Sequence, residues 1–115
     1  MDDSSLPDDV RRFVLTSIPS VPFLEALLLM RADPARRWRK DALARRLYVR
    51  DRIAETLLLD LCTAGMAAPC DAPDSDAYCY RPDNEALRVQ IDRLADLYAT
   101  RLVEVTHLIH SSLDQ

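Results

Sequence analysis

A single glycine, Gly65, serves all 115 residues. Barrels, sandwiches and phosphate-cradling loops depend on tight backbone turns that glycine makes easy, so the sequence is steered away from all three. Helices remain, and the spacing of the apolar residues predicts them. Hydrophobic residues make up 49% of the chain, enough at this length for one domain around one core and too much for general disorder.

The segment "SLPDDVRRFVLTSI" places Val10, Phe13 and Val14 on one helical stripe, with Asp8 and Asp9 at the positive end of the helix. "SVPFLEALLLMRAD" is apolar on nearly every side except Glu25, the pattern of a buried helix, and Pro34 ends it. Trp38 follows in a short extended stretch and is expected to anchor the core. "KDALARRL" turns Leu43, Ala44 and Leu47 inward. After a turn at Tyr48–Val49, the spacing of Ile53, Ala54, Leu57, Leu58 and Leu61 predicts a second helix with these residues inside, closed by Gly65. "MAAPCDAPDSDAYCYRP" then changes period. Pro69 and Pro73 exclude helix, "PDSD" is turn chemistry, and a short hairpin is expected. From Asn84 onward Leu87, Ile91, Leu94, Tyr98, Leu102, Val105 and Ile109 recur every three or four residues. That stripe predicts one continuous helix of about seven turns.

The net charge of −4 hides a sharp division. Residues 1–30 carry two basic and five acidic side chains, residues 31–52 carry nine and three, and residues 53–115 carry four and eleven. The middle segment therefore holds a local +6 (9 − 3) inside an acidic chain. Such a concentration is the footprint of a surface that meets a polyanion. The hairpin has the opposite sign. Asp71, Asp74 and Asp76 surround its tip, and no Lys or Arg lies between Arg52 and Arg81.

No arrangement of nucleophile and base stands out, so an enzyme is not expected, and no cofactor motif is present in the sequence. His107 and His110 lie three apart, but only Glu104 is near in sequence to complete a metal site; they are read as complements to a helix C-terminus. The three cysteines, Cys62, Cys70 and Cys79, contain no CxxC pair and are expected to be reduced thiols, with Cys62 in the core. Cys70 and Cys79 flank the hairpin turn and could face each other across it, but two unreactive strand residues are the favoured expectation. The acidic N-terminus is unlike a signal peptide, and no apolar run approaches a membrane span, so a soluble cytoplasmic protein is expected.

The order helix, short strand, helix, turn, helix, hairpin, long helix resembles a winged helix-turn-helix domain over about residues 20–82. Its closest pattern, "LARRLYVRDRIAETLLLDLCTAGM", resembles MarR-like and PadR-like transcriptional regulators, with Leu43, Leu47, Val49, Ala54, Leu58, Leu61 and Gly65 at scaffold positions. The resemblance implies a mainly α fold with a small β-hairpin. It comprises an N-terminal helical arm (1–19), a winged-helix core (20–82) and a C-terminal dimerisation helix (83–115).

It also implies double-stranded DNA as partner, with a recognition helix at about Arg50–Ala64. Arg36, Arg37, Arg39, Lys40, Arg45, Arg46, Arg50, Arg52 and Thr56 are the expected DNA-binding residues. A homodimer is expected through Phe13, Leu87, Ile91, Leu94, Tyr98, Leu102, Val105 and Ile109, whose apolar faces a winged-helix core alone leaves uncovered. Arg50 departs from the pattern, standing where a Ser or Thr cap is usual, and cannot cap. The acidic wing and Leu59 are poorly suited to phosphates and favour a protein-binding adaptor as the alternative.

Overall fold

The computed structural model describes residues 6–70 and 76–113, the side chains of 111–113 excepted. The hairpin-tip residues Asp71 and Asp74 lie outside the described residues; Asp76 is exposed. The chain is mainly helical, with α1 (Asp8–Ser17), α2 (Val21–Ala32), α3 (Lys40–Leu47), α4 (Asp51–Thr63), β1 (Ala67–Pro69), β2 (Tyr78–Tyr80), α5 (Glu85–Thr100) and α6 (Leu102–Leu113). It divides into two compact units. One is Pro22–Asp83; the other joins the N-terminal segment up to Val21 with the C-terminal segment from Asn84.

In the first unit, α2 buries Phe23, Leu24, Ala26, Leu27 and Met30 and leaves Glu25 exposed, as its all-round apolar sequence requires. Helix α3 buries Leu43 and Ala44 and stops at Tyr48, which takes the left-handed conformation (φ 59°, ψ 44°). The amides of Tyr48 and Val49 both donate to the Ala44 carbonyl, closing the last turn. Arg50 is the extended N-cap of α4 and, lacking an acceptor, makes no side-chain cap. Helix α4 packs on α3 and buries Ala54, Leu57, Leu58 and Leu61. Ile53, expected inward, is half-exposed: at about 100° per residue it lies to one side of the stripe centred on Leu57 and Leu61.

The single glycine closes α4. Its amide donates to the Cys62 carbonyl at 3.0 Å, and the Met66 amide reaches back to Leu61 at 2.9 Å, the paired bonds of a Schellman motif. Gly65 has φ +77°, and a Cβ added there would overlap the Asp83 carboxylate, with Cγ at 2.9 Å. Gly65→Ala is expected to lower stability by about 1–2 kcal/mol from the left-handed backbone alone. An unchanged denaturant midpoint would show that the helix end had found another closure.

The sheet is antiparallel, in the register Ala67↔Tyr80, Ala68↔Cys79 and Pro69↔Tyr78. Pro69 has no N–H to give, and Tyr78 turns its own backbone pair to the other side. There it exchanges bonds with Trp38 at 2.8 and 2.9 Å. Trp38 thus extends the sheet by one bridge while its ring is buried.

The thiol expectation fails in the hairpin: Cys70 and Cys79 form a disulfide with Cα atoms 5.7 Å apart. Cys79 opposes Ala68, two positions along from Cys70, so both side chains leave the same face of the pleat within bridging distance. That geometry depends on register, which residue spacing alone does not give. The bond also removes the reduced-thiol ground for placing the chain in a reducing compartment. No single helix among the described residues is long and apolar enough to cross a membrane.

In the second unit, α1, α5 and α6 contact one another. Asn84 caps α5 by accepting the Leu87 amide at 2.8 Å, and Arg93 of α5 pairs with Asp9 of α1. The continuous C-terminal helix expected from the stripe is two helices, interrupted at Arg101 (φ −131°, ψ 48°). The break lets α6 lie against α1 and buries Val105 and Ile109 completely, which an uninterrupted rod extending past α1 would not do.

Candidate nucleic-acid interface

The cation-rich surface follows from how α3 and α4 meet. The last turn of α3 presents Arg45 and Arg46, the left-handed Tyr48 turns the chain, and Arg50 and Arg52 open α4. All eight expected cations, Arg36, Arg37, Arg39, Lys40, Arg45, Arg46, Arg50 and Arg52, are exposed.

Their surroundings differ. Arg39 (3.7 Å) and Arg45 (3.4 Å) share the Asp41 carboxylate, and Lys40 lies 3.8 Å from Glu55. Arg36 and Arg46 hold their guanidinium groups over the Trp38 ring, 4.1 and 5.7 Å from its centroid. Arg37, Arg50 and Arg52 have no carboxylate partner among the described residues. They are the cations most open to an external anion.

Arg52, Thr56, Leu59 and Thr63 follow one another at i, i+4, i+7 and i+11 and share the outward face of α4, and all four are exposed. The Thr56 hydroxyl donates to the Arg52 carbonyl at 3.1 Å, and that of Thr63 donates to the Leu59 carbonyl at 3.0 Å. Both hydroxyl protons are therefore used on the helix itself. Thr56 is left with a methyl group and a lone pair to offer. Leu59 is 49% exposed.

One flank of α4 is acidic. Asp51 and Glu55, with Asp41, Asp76 and Tyr78, line a cleft of about 410 Å³ that also holds Arg39 and Lys40. Four carboxylates against two cations make that flank repel phosphate. An anion is favoured only toward Arg50, Arg52 and the end of α3.

The residues expected at a dimer interface lie mostly inside the fold. Phe13, Ile91, Leu94, Val105 and Ile109 are buried, and Leu87 and Tyr98 are partly covered; only Leu102 is well exposed. The apolar stripe of the C-terminal segment is covered by the packing of α1, α5 and α6, an arrangement that one continuous rod would not permit. Val103, Leu15 and Val89 are exposed apolar side chains that the periodicity did not single out. His107 and His110 are exposed, and no group of three or more His, Cys, Asp or Glu able to hold a metal is assembled among the described residues. Burial pushes the Cys62 thiol pKa up, which keeps it protonated and unreactive near neutral pH.

Comparison with protein-family models, with curated proteins and with solved structures returns no match.

Proposed function

We propose that the chain is a winged-helix DNA-binding protein, a transcriptional regulator in which α4 enters the major groove and the end of α3 approaches the backbone. The order of α2, the Trp38 bridge, α3, the turn, α4 and the hairpin supports the winged-helix reading. The observation that carries the DNA reading is the group of exposed arginines without a carboxylate partner among the described residues at the end of α3 and the start of α4, Arg46, Arg50 and Arg52. Arg52 lies in the first turn of α4, and in this reading it is the leading base contact, since the first turn of a recognition helix is where side chains meet base edges. Self-association through the second unit, if it accompanies DNA binding, has to use Leu15, Leu102 and Val103 in place of the buried stripe.

The test is a salt titration of wild type, Arg52→Ala and Arg46→Ala on bound genomic fragments. Arg52→Ala is expected to cost about 1–3 kcal/mol on a preferred sequence and to relax the preference at one base pair. Arg46→Ala is expected to weaken all sequences alike and to reduce the salt slope by roughly 0.9. A second reading, a protein-binding adaptor, is favoured by the exposed Leu59 and the acidic flank of α4. Wild-type binding to duplex no tighter than about 10⁻⁴ M, the weak edge of non-specific association, would replace the first reading with the second.

A further inference from the structure

Tyr48 combines a strained backbone with an unused side chain. Its backbone is left-handed, at φ 59° and ψ 44°. It is the only non-glycine residue with positive φ among the described residues. L-residues with a Cβ resist this conformation, and glycine or asparagine adopts it with least penalty. Ring packing does not offset that penalty: Tyr48 is 95% exposed and is the most exposed of the large hydrophobic side chains. The chain accepts a backbone penalty at this turn and gains no internal contact from the side chain. What the side chain contributes must lie outside the chain. A phenol is a hydrogen-bond donor, and the residues around it, Arg45, Arg46 and Arg50, are exposed cations.

We propose that Tyr48 is a phosphate-contacting residue, its hydroxyl donating to a backbone phosphate oxygen of duplex DNA beside the contacts of Arg46 and Arg50. The inference rests on the DNA reading and adds to it a neutral contact at the turn. An aromatic hydroxyl gives direction where arginine gives charge. A hydrogen bond from a fixed turn sets how deep and at what angle α4 enters the groove, whereas long cations tolerate a range of poses. An acidic protein surface is the competing partner, and it is the one left if wild type binds no duplex.

The experiment pairs Tyr48→Gly with Tyr48→Phe in the full chain, reading thermal unfolding and affinity for duplexes of unrelated sequence across salt. Tyr48→Gly relieves the turn and is expected to raise Tm by roughly 4–8 °C. Both variants are expected to weaken binding on the order of tenfold, equally for every sequence. The salt slope should stay at the wild-type value, because the hydroxyl displaces no counterion. A more stable protein that binds less well is a combination a structural role for Tyr48 cannot produce.

Tyr48→Gly that binds like wild type overturns the inference and leaves the DNA reading in place, and so does a fall in its Tm. Tyr48→Phe that keeps full affinity removes the hydroxyl from the contact and overturns the inference as stated. Wild type that binds no duplex overturns both together.

Discussion

Trp38→Ala is expected to destabilise the Pro22–Asp83 unit by about 3–5 kcal/mol, the range for emptying a buried aromatic site. Trp38 is 1% exposed, and its ring is the surface over which Arg36 and Arg46 are held. Removing it opens a cavity beside the sheet and leaves both guanidinium groups without the face they cover. A domain of this size is held by roughly 5–15 kcal/mol in all, so the loss takes a large share of it. Chemical unfolding followed by circular dichroism measures it, since the lone tryptophan is no longer a probe. Trp38→Phe should lose much less. It keeps most of the apolar area and removes an indole Nε1 that is buried with no acceptor among the described residues. Equal losses for the two variants would mean that the ring's size matters less than its place in the fold suggests.

Reduction of the Cys70–Cys79 bond is the second large effect. The cysteines are nine residues apart, and closing a loop of that length is worth about 2.5–3 kcal/mol in the chain-entropy account. Each strand of the hairpin has only three residues, so few other interactions hold it closed. A dithiol reductant, or the double variant Cys70→Ala with Cys79→Ala, should lower the unfolding free energy by a similar amount, read as a fall in Tm. Cys62→Ala should leave the response to reductant unchanged, because Cys62 is the free cysteine. A Tm indifferent to both reductant and the double substitution would mean that the bridge adds nothing the hairpin lacks.

Different parts of the structure were legible in the sequence to different degrees, for physical reasons. The α3–turn–α4 core was legible because Leu43, Ala44, Ala54, Leu57, Leu58 and Leu61 must face inward together and Gly65 must end the helix. The uncapped start at Arg50 was legible from side-chain chemistry alone.

The break at Arg101 was not. Arg101 is neither proline nor glycine, and Leu102, Val105 and Ile109 keep helical spacing across the interruption. Periodicity reports which residues share a stripe and says nothing of whether the rod carrying them folds back. That Cys70 and Cys79 flank one turn was legible, but whether they bond was not, because cysteine pairing depends on strand register. The left-handed Tyr48 was hidden because tyrosine carries no preference for that region. At the candidate site, the residue types and their exposure were readable. Which cations are drawn to Asp41 and Glu55, and which stay open, depends on side-chain directions that only the fold supplies.

The two threonines of α4 carry a consequence for how much a duplex could tell this helix. With the hydroxyl protons of Thr56 and Thr63 committed to the backbone, Arg52 is the sole side chain on the outward face of α4 with a hydrogen to donate toward a base. One bidentate donor resolves one base pair, roughly two bits of address. A helix so sparsely lettered distinguishes few sites by base identity. In the DNA reading, the rest of its selectivity has to come from the shape and bendability of the duplex, or from a second helix reading in step with the first.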